Sequence, residues 1–417
     1  MTIINRTMPL PSSVEYVLSR LKENGYQAYV VGGAVRDFLM GKTPHDYDLT
    51  SDALPSQISD VFKDFYQEHS GEKHGTIRVI VDHKPIEITT FRCDEGYTDY
   101  RRPDNVEFVK DVYIDSKRRD FSINAFYYSE GHIYDFHEGL EDLNNKVIKT
   151  IGNPSTRFHE DALRILRAIR FSAKLGYEIE SKTKTALLDC KEELNLIAKE
   201  RILIELKEIS STSNFFRNVK EYFPIFKLII PCLDKIGNSI DDIYNFDIKS
   251  YGDYIASLSA LFSLREINND FMPWRLFIKM DNESINAIKT LIKLKDINFN
   301  NSFDDDYING LILLSKPVDI NVFKNYLINL YNLKRFKNDD IDSILNRVDI
   351  LSEGNTPYSL KDLEIDGNDL LKLGIEKNQY FKEILNEVLL RCNQGDLNNN
   401  RNEEIEFVKK WIRTNTN

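Results

Sequence analysis

Along the first ~135 residues the apolar positions alternate between helical and strand spacing, as a mixed α and β domain requires. Val14, Val17, Leu18 and Leu21 return at three- and four-residue steps, which predicts an amphipathic helix over Val14 to Glu23. Gln27 to Val31 reads as a strand, and Pro55 opens another helix. Two β-branched runs, Ile77 to Val81 and Ile86 to Thr90, flank Asp82-His83-Lys84-Pro85 and predict antiparallel strands across a short turn. The stretch from Arg92 to Asn105 is too charged and turn-rich for a core and reads as a mobile loop. From about Asn153 strand signals fade and helical spacing continues to the C-terminus, with Asn398 to Asn402 as a solvent loop between the last two helices. The predicted fold class is α+β, a small mixed sheet followed by helices.

At 417 residues the chain is long enough for two to four domains. Apolar residues at 41% and charged residues at 29% are ordinary for globular proteins, so no long stretch is expected to be disordered. No signal peptide, transit peptide or apolar run of spanning length is visible, so no membrane partner is expected. The four cysteines, Cys93, Cys190, Cys232 and Cys392, lack the paired spacing of a zinc site or disulfide framework, and a reducing cytoplasm fits them. A net charge of −11 argues against a protein that coats nucleic acid, DNA included, and confines any RNA contact to local patches.

Three clusters carry chemistry. In the first, a strand runs into Gly32-Gly33, where missing side chains let backbone approach a phosphate, and Arg36 supplies a cation beside that turn. Ten residues later Asp46 and Asp48 stand two apart in a predicted strand, Tyr47 to Thr50, so both carboxylates leave one face and can share divalent ions. Glu87, on the hairpin, is placed to complete the acidic group; its alternative is a solubility charge on an edge strand. Magnesium binds through one or two carboxylates plus substrate phosphates, and two such ions about 3.5 to 4 Å apart can serve phosphoryl transfer. The second cluster is Lys117 to Ala125, in which Arg119 and Asp120 could meet ribose or phosphates while Phe121 and Ile123 anchor the segment in the core.

The third cluster is Glu160 to Phe171. On one continuous helix Asp161, Arg164 and Arg167 fall within about 120° of each other, opposite an apolar side of Leu163, Ile165, Leu166 and Ile169. Arg170 rotates toward the apolar side and is either a long-reaching member of the site or the buried partner of an acid. Cytosine and adenine each present an amine donor beside a ring-nitrogen acceptor. A carboxylate and a guanidinium, Asp161 and Arg164, therefore match C and A and reject G and U, at about 1–3 kcal/mol per well-made contact.

These clusters, in this order, resemble the class II tRNA nucleotidyltransferases, the CCA-adding enzymes, which are grouped with bacterial poly(A) polymerases. Residues 31 to 55 are similar to the family's catalytic motif, 118 to 125 to its ribose motif, and Asp135 to Ile148, with Gly139 and Asp142-Leu143, to its hinge motif. Residues 160 to 171 resemble the nucleotide-recognition motif, and Glu200-Arg201-Ile202 with Glu205-Leu206 the motif that stabilises its helix. Loop 91 to 104, with Arg101-Arg102-Pro103-Asp104, resembles the family's flexible loop. Ser116 departs from the family's usual leucine.

The resemblance implies a nucleotidyltransferase head over 1–135, a neck over 136–210, a helical body over 211–320 and a tail over 321–417 in which helices such as that at Gly367 to Leu371 grip tRNA. It implies magnesium ligation by Asp46 and Asp48, triphosphate contact at Gly33 and Arg36, and nucleotide contact by Arg119, Asp161, Arg164, Arg167 and Arg170. The implied activity is template-independent addition of C, C and A to the tRNA 3′ end from CTP and ATP. Addition of A alone is the alternative within the family; loop 91 to 104 disfavours addition of CC alone. Poly(A) addition would want a basic, extended C-terminus that this chain lacks. A catalytically dead RNA-binding protein is opposed by the presence of Arg36, Asp46, Asp48 and Arg119.

Overall fold

The computed structural model describes residues 1–96, 105–236, 245–264, 279–297, 305–315, 318–334, 341–353, 357, 360–375, 380–393 and 396–415. It divides into two compact units, Met1–Glu205 and Leu206–Asn417. The fold is α+β, with the mixed sheet in the first unit and helices throughout the second.

In the first unit the strands are β1 Thr2–Asn5, β2 Ala28–Val31, β3 Asp48–Ser51, β4 Gln67–Glu68, β5 Thr76–Val81, β6 Lys84–Thr90, β7 Arg92–Glu95, β8 Asn105–Phe108, β9 Phe126–Ser129, β10 His132–Asp135, β11 Val147–Ile148 and β12 Glu178–Ile179. The helices are α1 Ser12–Glu23, α2 Gly33–Leu39, α3 Pro55–Val61, α4 Val112–Lys117, α5 Gly139–Asn144, α6 Pro154–Glu160, α7 Leu163–Leu175 and α8 Ser181–Asp189, and α9 Lys199–Ser210 begins in the first unit and ends in the second. Eight strands form one sheet in the order β1-β10-β9-β2-β3-β6-β5-β4. Every pairing in it is antiparallel except β3 with β6. Val30, Leu49, Ile77, Ile88 and Phe126 are fully or almost fully buried along its strands, and α1 buries the Val14, Val17, Leu18 and Leu21 stripe.

Several local expectations are corrected. The hairpin turn is two residues, Asp82-His83, both at positive φ, because Val81 already pairs with Lys84. Pro85 sits inside β6 opposite Ile80, whose N–H turns away to Tyr66 O, so that position needs no ladder bond from the proline. The segment read as one polar loop begins and ends as a two-stranded ribbon, β7 with β8. Residues 97–104, including Arg101-Arg102-Pro103-Asp104, lie outside the described residues. Strand character also persists beyond Asn153, since β12 pairs with β11. The asparagine loop ends early: Arg401 and Asn402 belong to the helix Arg401–Asn415, and Asn398 and Asn400 side chains donate to Glu403.

The second unit builds its core from Phe215, Phe216, Phe226 and Phe246, which pack edge to face or tilted. Helix Tyr254–Phe262 packs on Asn282–Ile292 and Ile320–Leu333. Toward the C-terminus Ile365, Leu370, Ile384, Val388 and Val408 form a separate small core. No helix among the described residues is long and apolar enough to cross a membrane.

The segment that resembles the family's hinge motif, Asp135 to Ile148, is held by polar contacts. Asp135 accepts hydrogen bonds from the backbone N–H groups of His137, Gly139 and Leu140, and Asp142 accepts one from Ser122 Oγ at 2.5 Å. Ser116, the departure from the family pattern, is buried with its hydroxyl 2.8 Å from His137 Nε2, so its polarity is satisfied. Gly139 has no room for a side chain: a Cβ would lie 2.4 Å from the Ser122 carbonyl oxygen and 2.9 Å from the Phe126 ring. Gly139→Ala should therefore lower stability by about 1–3 kcal/mol, an overpacking cost, and thermal unfolding of purified protein measures it. An unchanged melting temperature would show that the α5 approach is slack.

Candidate active site

Sheet register brings the acids together. Val31 pairs with Asp48, so the Gly32-Gly33 turn at the end of β2 stands beside the first residue of β3. Leu49 pairs with Ile88 on the parallel neighbour, and both are buried. Asp48 and Glu87, one residue earlier on each strand, thus leave the opposite face side by side. Asp46 lies in the loop before β3 rather than inside a strand, a correction to the expected spacing. All three acids nonetheless line one cleft of about 640 Å³, with His45, Arg78 and Lys84 on its walls.

Burial pushes the Asp48 carboxyl above its usual range; Glu87 and then Asp46 push the same way, while Arg119 opposes them. Among the described residues neither Asp46 nor Asp48 is in an ion pair. Glu87 is: Arg78, directly opposite on β5, donates from Nε and Nη2 at 3.1 and 2.6 Å. Glu87 is therefore a cleft acid with a cross-strand partner. Arg78 was missed because a four-residue turn shifts the register by two; centred on Asp82-His83, residue 78 falls opposite 87.

Gly32 adopts φ 71°, a conformation that favours glycine. A Cβ there would be 3.6 Å from Arg119 Nη1, and a Cβ on Gly33 would be 3.7 Å from Arg36 Nη2, so both guanidiniums flank the turn. Arg36 is buried and committed: it donates to Asp37 Oδ1 and, at 2.7 Å, to Asn124 Oδ1. Arg119 donates from Nε to Tyr127 Oη at 2.8 Å, and Tyr127 donates in turn to Asp115 Oδ2 at 2.6 Å. Burial opposes charge on Arg119, but Tyr127 and Asp115 outweigh it, and its pKa is raised. Asp115 and Tyr127 were not singled out by sequence; the acid-to-base steps of three and four from Asp115 to Arg118 and Arg119 were the available signal.

The third cluster differs most from expectation. The helix is broken: α6 ends at Glu160, Asp161 is extended at φ −142° and ψ 101°, and α7 starts at Leu163. Asp161 Oδ1 accepts from the Leu163 N–H at 3.1 Å, and Oδ2 pairs with Arg201 Nη2 at 3.3 Å. Arg164 is buried instead of lying on an open polar face; it is held by Glu160, the Arg157 carbonyl at 3.0 Å and the Arg118 carbonyl at 3.1 Å. Arg167 grips Asp120 through Nε at 2.8 Å, linking the second cluster to the third. Burial disfavours the Asp120 carboxylate, yet Arg167 and Arg164 hold its pKa below the usual range. Arg170 takes the second of its two readings, pairing at 3.0 Å with the buried Glu205 on α9. Phe121 and Ile123 are fully buried, as anchors should be.

Residues 28–149 match the Poly A polymerase head domain family. The chain is 32% identical to the CCA-adding enzyme of Staphylococcus saprophyticus over 98% of its own length and 99% of that protein. It is 30% identical to a Staphylococcus aureus CCA-adding enzyme, covering 95% of this chain and 97% of the other. Its fold is similar to that of the Bacillus stearothermophilus CCA-adding enzyme in complex with CTP, with a TM-score of 0.75 at 22% identity, covering 98% and 99% of the two chains. The Thermotoga maritima CCA-adding enzyme complexed with tRNA_CCA aligns with a TM-score of 0.62 at 20% identity, over 97% and 96%. With near-complete coverage at 32% identity, the chain belongs to the class II CCA-adding enzymes and is a nucleotidyltransferase.

Proposed function

We propose that this chain adds C, C and A in turn to the 3′ end of tRNA from CTP and ATP, releasing pyrophosphate, with protein side chains in place of a nucleic acid template. The observation that carries this reading is the convergence of Asp46, Asp48 and Glu87 in one cleft beside the Gly32-Gly33 turn and Arg119. The solved structures of CCA-adding enzymes in complex with CTP, with ATP and with tRNA_CCA support the substrates. The tail over 321–417, with the helix Gly367–Lys372, is assigned to gripping tRNA by shape and phosphates.

The donor set fits magnesium: carboxylate oxygens, open to a cleft with room for waters and phosphates. Asp46 and Asp48 would hold it, and it would supply Lewis-acid stabilisation of the transferring phosphoryl group. The chain's own groups do the rest. Arg119 keeps its charge beside the glycine turn, where the triphosphate lies, and Arg36 adds a second cation held by Asp37 and Asn124. Such fixed cations stabilise a spread negative charge without reorganising. Glu87 completes the acidic group while Arg78 balances its charge. Asp161 offers an acceptor and Arg164 a donor to the base edge, with Arg201 and Glu160 fixing their directions.

Asp46→Ala should abolish nucleotide incorporation and leave tRNA binding nearly intact in a filter or gel-shift assay; retained turnover would refute the metal role. Asp161→Ala should cost about ten- to a hundredfold in preference for C and A over U and G, read from single-nucleotide extension of tRNA ending at the discriminator base, at C and at CC. The same gel separates addition of CCA, CC, A and poly(A), and unchanged selectivity would remove the protein-template role. For stability, a carboxyl whose folded pKa is raised favours the fold when protonated, and that contribution fades as pH rises through the unfolded and then the folded pKa. Asp48→Asn, which mimics the protonated form, should therefore raise the melting temperature of metal-free protein at neutral pH while eliminating activity. A lower melting temperature would mean that the attraction to Arg119 exceeds burial and the repulsion from Glu87 and Asp46.

A further inference from the structure

His159 lies in the last turn of α6, Cys190 directly follows α8, and Glu193 is in the 3₁₀ turn Lys191–Leu196 beyond it; α6 packs against α8. One donor atom from each lies within 4.8 Å of the other two. His159 Nδ1 is 2.5 Å from Glu193 Oε1. Cys190 is buried, and Glu193 Oε2, shielded from solvent, has no hydrogen-bond partner among the described residues. An ion pair accounts for the first of these contacts and for neither the thiol nor the orphaned oxygen.

We propose that His159, Cys190 and Glu193 form a binding site for a soft divalent cation of the zinc class, separate from the acids of the cleft. An imidazole, a thiolate and a carboxylate are nitrogen, sulfur and oxygen donors that such a cation takes together, whereas magnesium favours the carboxylate alone. Their two negative charges balance a dication. The close contact between His159 Nδ1 and Glu193 Oε1 marks the place: the cation enters between these two atoms, which part to about 3.4 Å, as bonds of about 2.0–2.1 Å in a tetrahedron require. The His159 side chain, 56% exposed, is free to make that move, and its open side leaves the fourth position to water. Glu193 Oε2 gains a neighbour that it lacks. The bound ion ties the end of α6 to the α8 corner. His159 precedes Glu160, which holds Arg164, and stands two residues before Asp161, so the tie stiffens the junction that carries both.

The test is a Co2+ titration of the full-length, metal-free chain carrying Asp46→Asn and Asp48→Asn, which removes the competing carboxylates of the cleft. One equivalent should bind with a thiolate-to-cobalt charge-transfer band in the near ultraviolet, and Zn2+ should bleach it. Cys190→Ser should erase the band. His159→Ala, which removes an exposed ring, should weaken Co2+ binding by more than about a hundredfold, the upper end of what losing an outer-sphere partner costs. The proposal is overturned by no band in the parent protein, by the same band in Cys190→Ser, or by unchanged affinity in His159→Ala. If Cys190→Ser does not fold, His159→Ala alone decides. No turnover is read, so this outcome stands apart from the activity proposed above.

Discussion

The site depends on one pairing, that of β3 with β6, the parallel pair in an otherwise antiparallel eight-stranded sheet. Parallel strands start at the same end, so the first residue of β3 and the middle of β6 bring Asp48 and Glu87 to one level on one face. The pairing is costly to the protein alone, because burial and then the neighbouring acids raise the Asp48 pKa. Arg119 offsets part of that cost at Asp48, and Arg78 balances Glu87. What remains is unrelieved negative charge facing a cleft, the condition under which a cation is bound.

From that cleft a series of buried and half-buried ion pairs runs into the helices. Tyr127 and Asp115 hold Arg119; the next residue, Asp120, holds Arg167. Glu160 holds Arg164, and Glu205 holds Arg170. Three arginines of α7 are thus each met by an acid from a different element. Buried ion pairs contribute little net stability but cost several kcal/mol, roughly 3–5, when one partner is removed. Their effect here is on direction: each guanidinium has one orientation, set by an acid that cannot move with the helix.

Much of this was legible in the chain. The α1 stripe, the two hairpin strands, Phe121 and Ile123 as anchors and the acid group with Glu87 all follow from local periodicity and from residue types, and the structure shows them in place. What local pattern did not reveal was decided by neighbours distant in sequence. The hairpin turn closes on Asp82-His83 because Pro85 can sit in a strand where no partner needs its N–H, and that register alone puts Arg78 across from Glu87. Arg164 looks solvent-facing on a helical wheel, but carbonyls of Arg118 and Arg157 surround it. The charge of Asp120 reads as a nucleotide contact in isolation, and its partner in the fold is Arg167, 47 residues away.

The break at Asp161 changes what selectivity can rest on. On a continuous helix Asp161 and Arg164 would keep a fixed spacing whatever their surroundings, and any helix of the same sequence would carry the pair. Extended backbone at Asp161 removes that guarantee. Its carboxylate position is set by two contacts, the cap on Leu163 N–H and the pair with Arg201, while the Arg164 position is set by Glu160 on the far side of the break. If these two side chains read the base, their separation is a property of the junction between α6 and α7 and not of either helix. A junction held by a cap and two ion pairs can open or close by a change of one pairing, whereas a helix cannot alter its spacing without breaking backbone hydrogen bonds. Adjusting from one base to another of different size at a single site requires that kind of latitude, and in this chain the junction between α6 and α7 supplies it at Asp161 and Arg164.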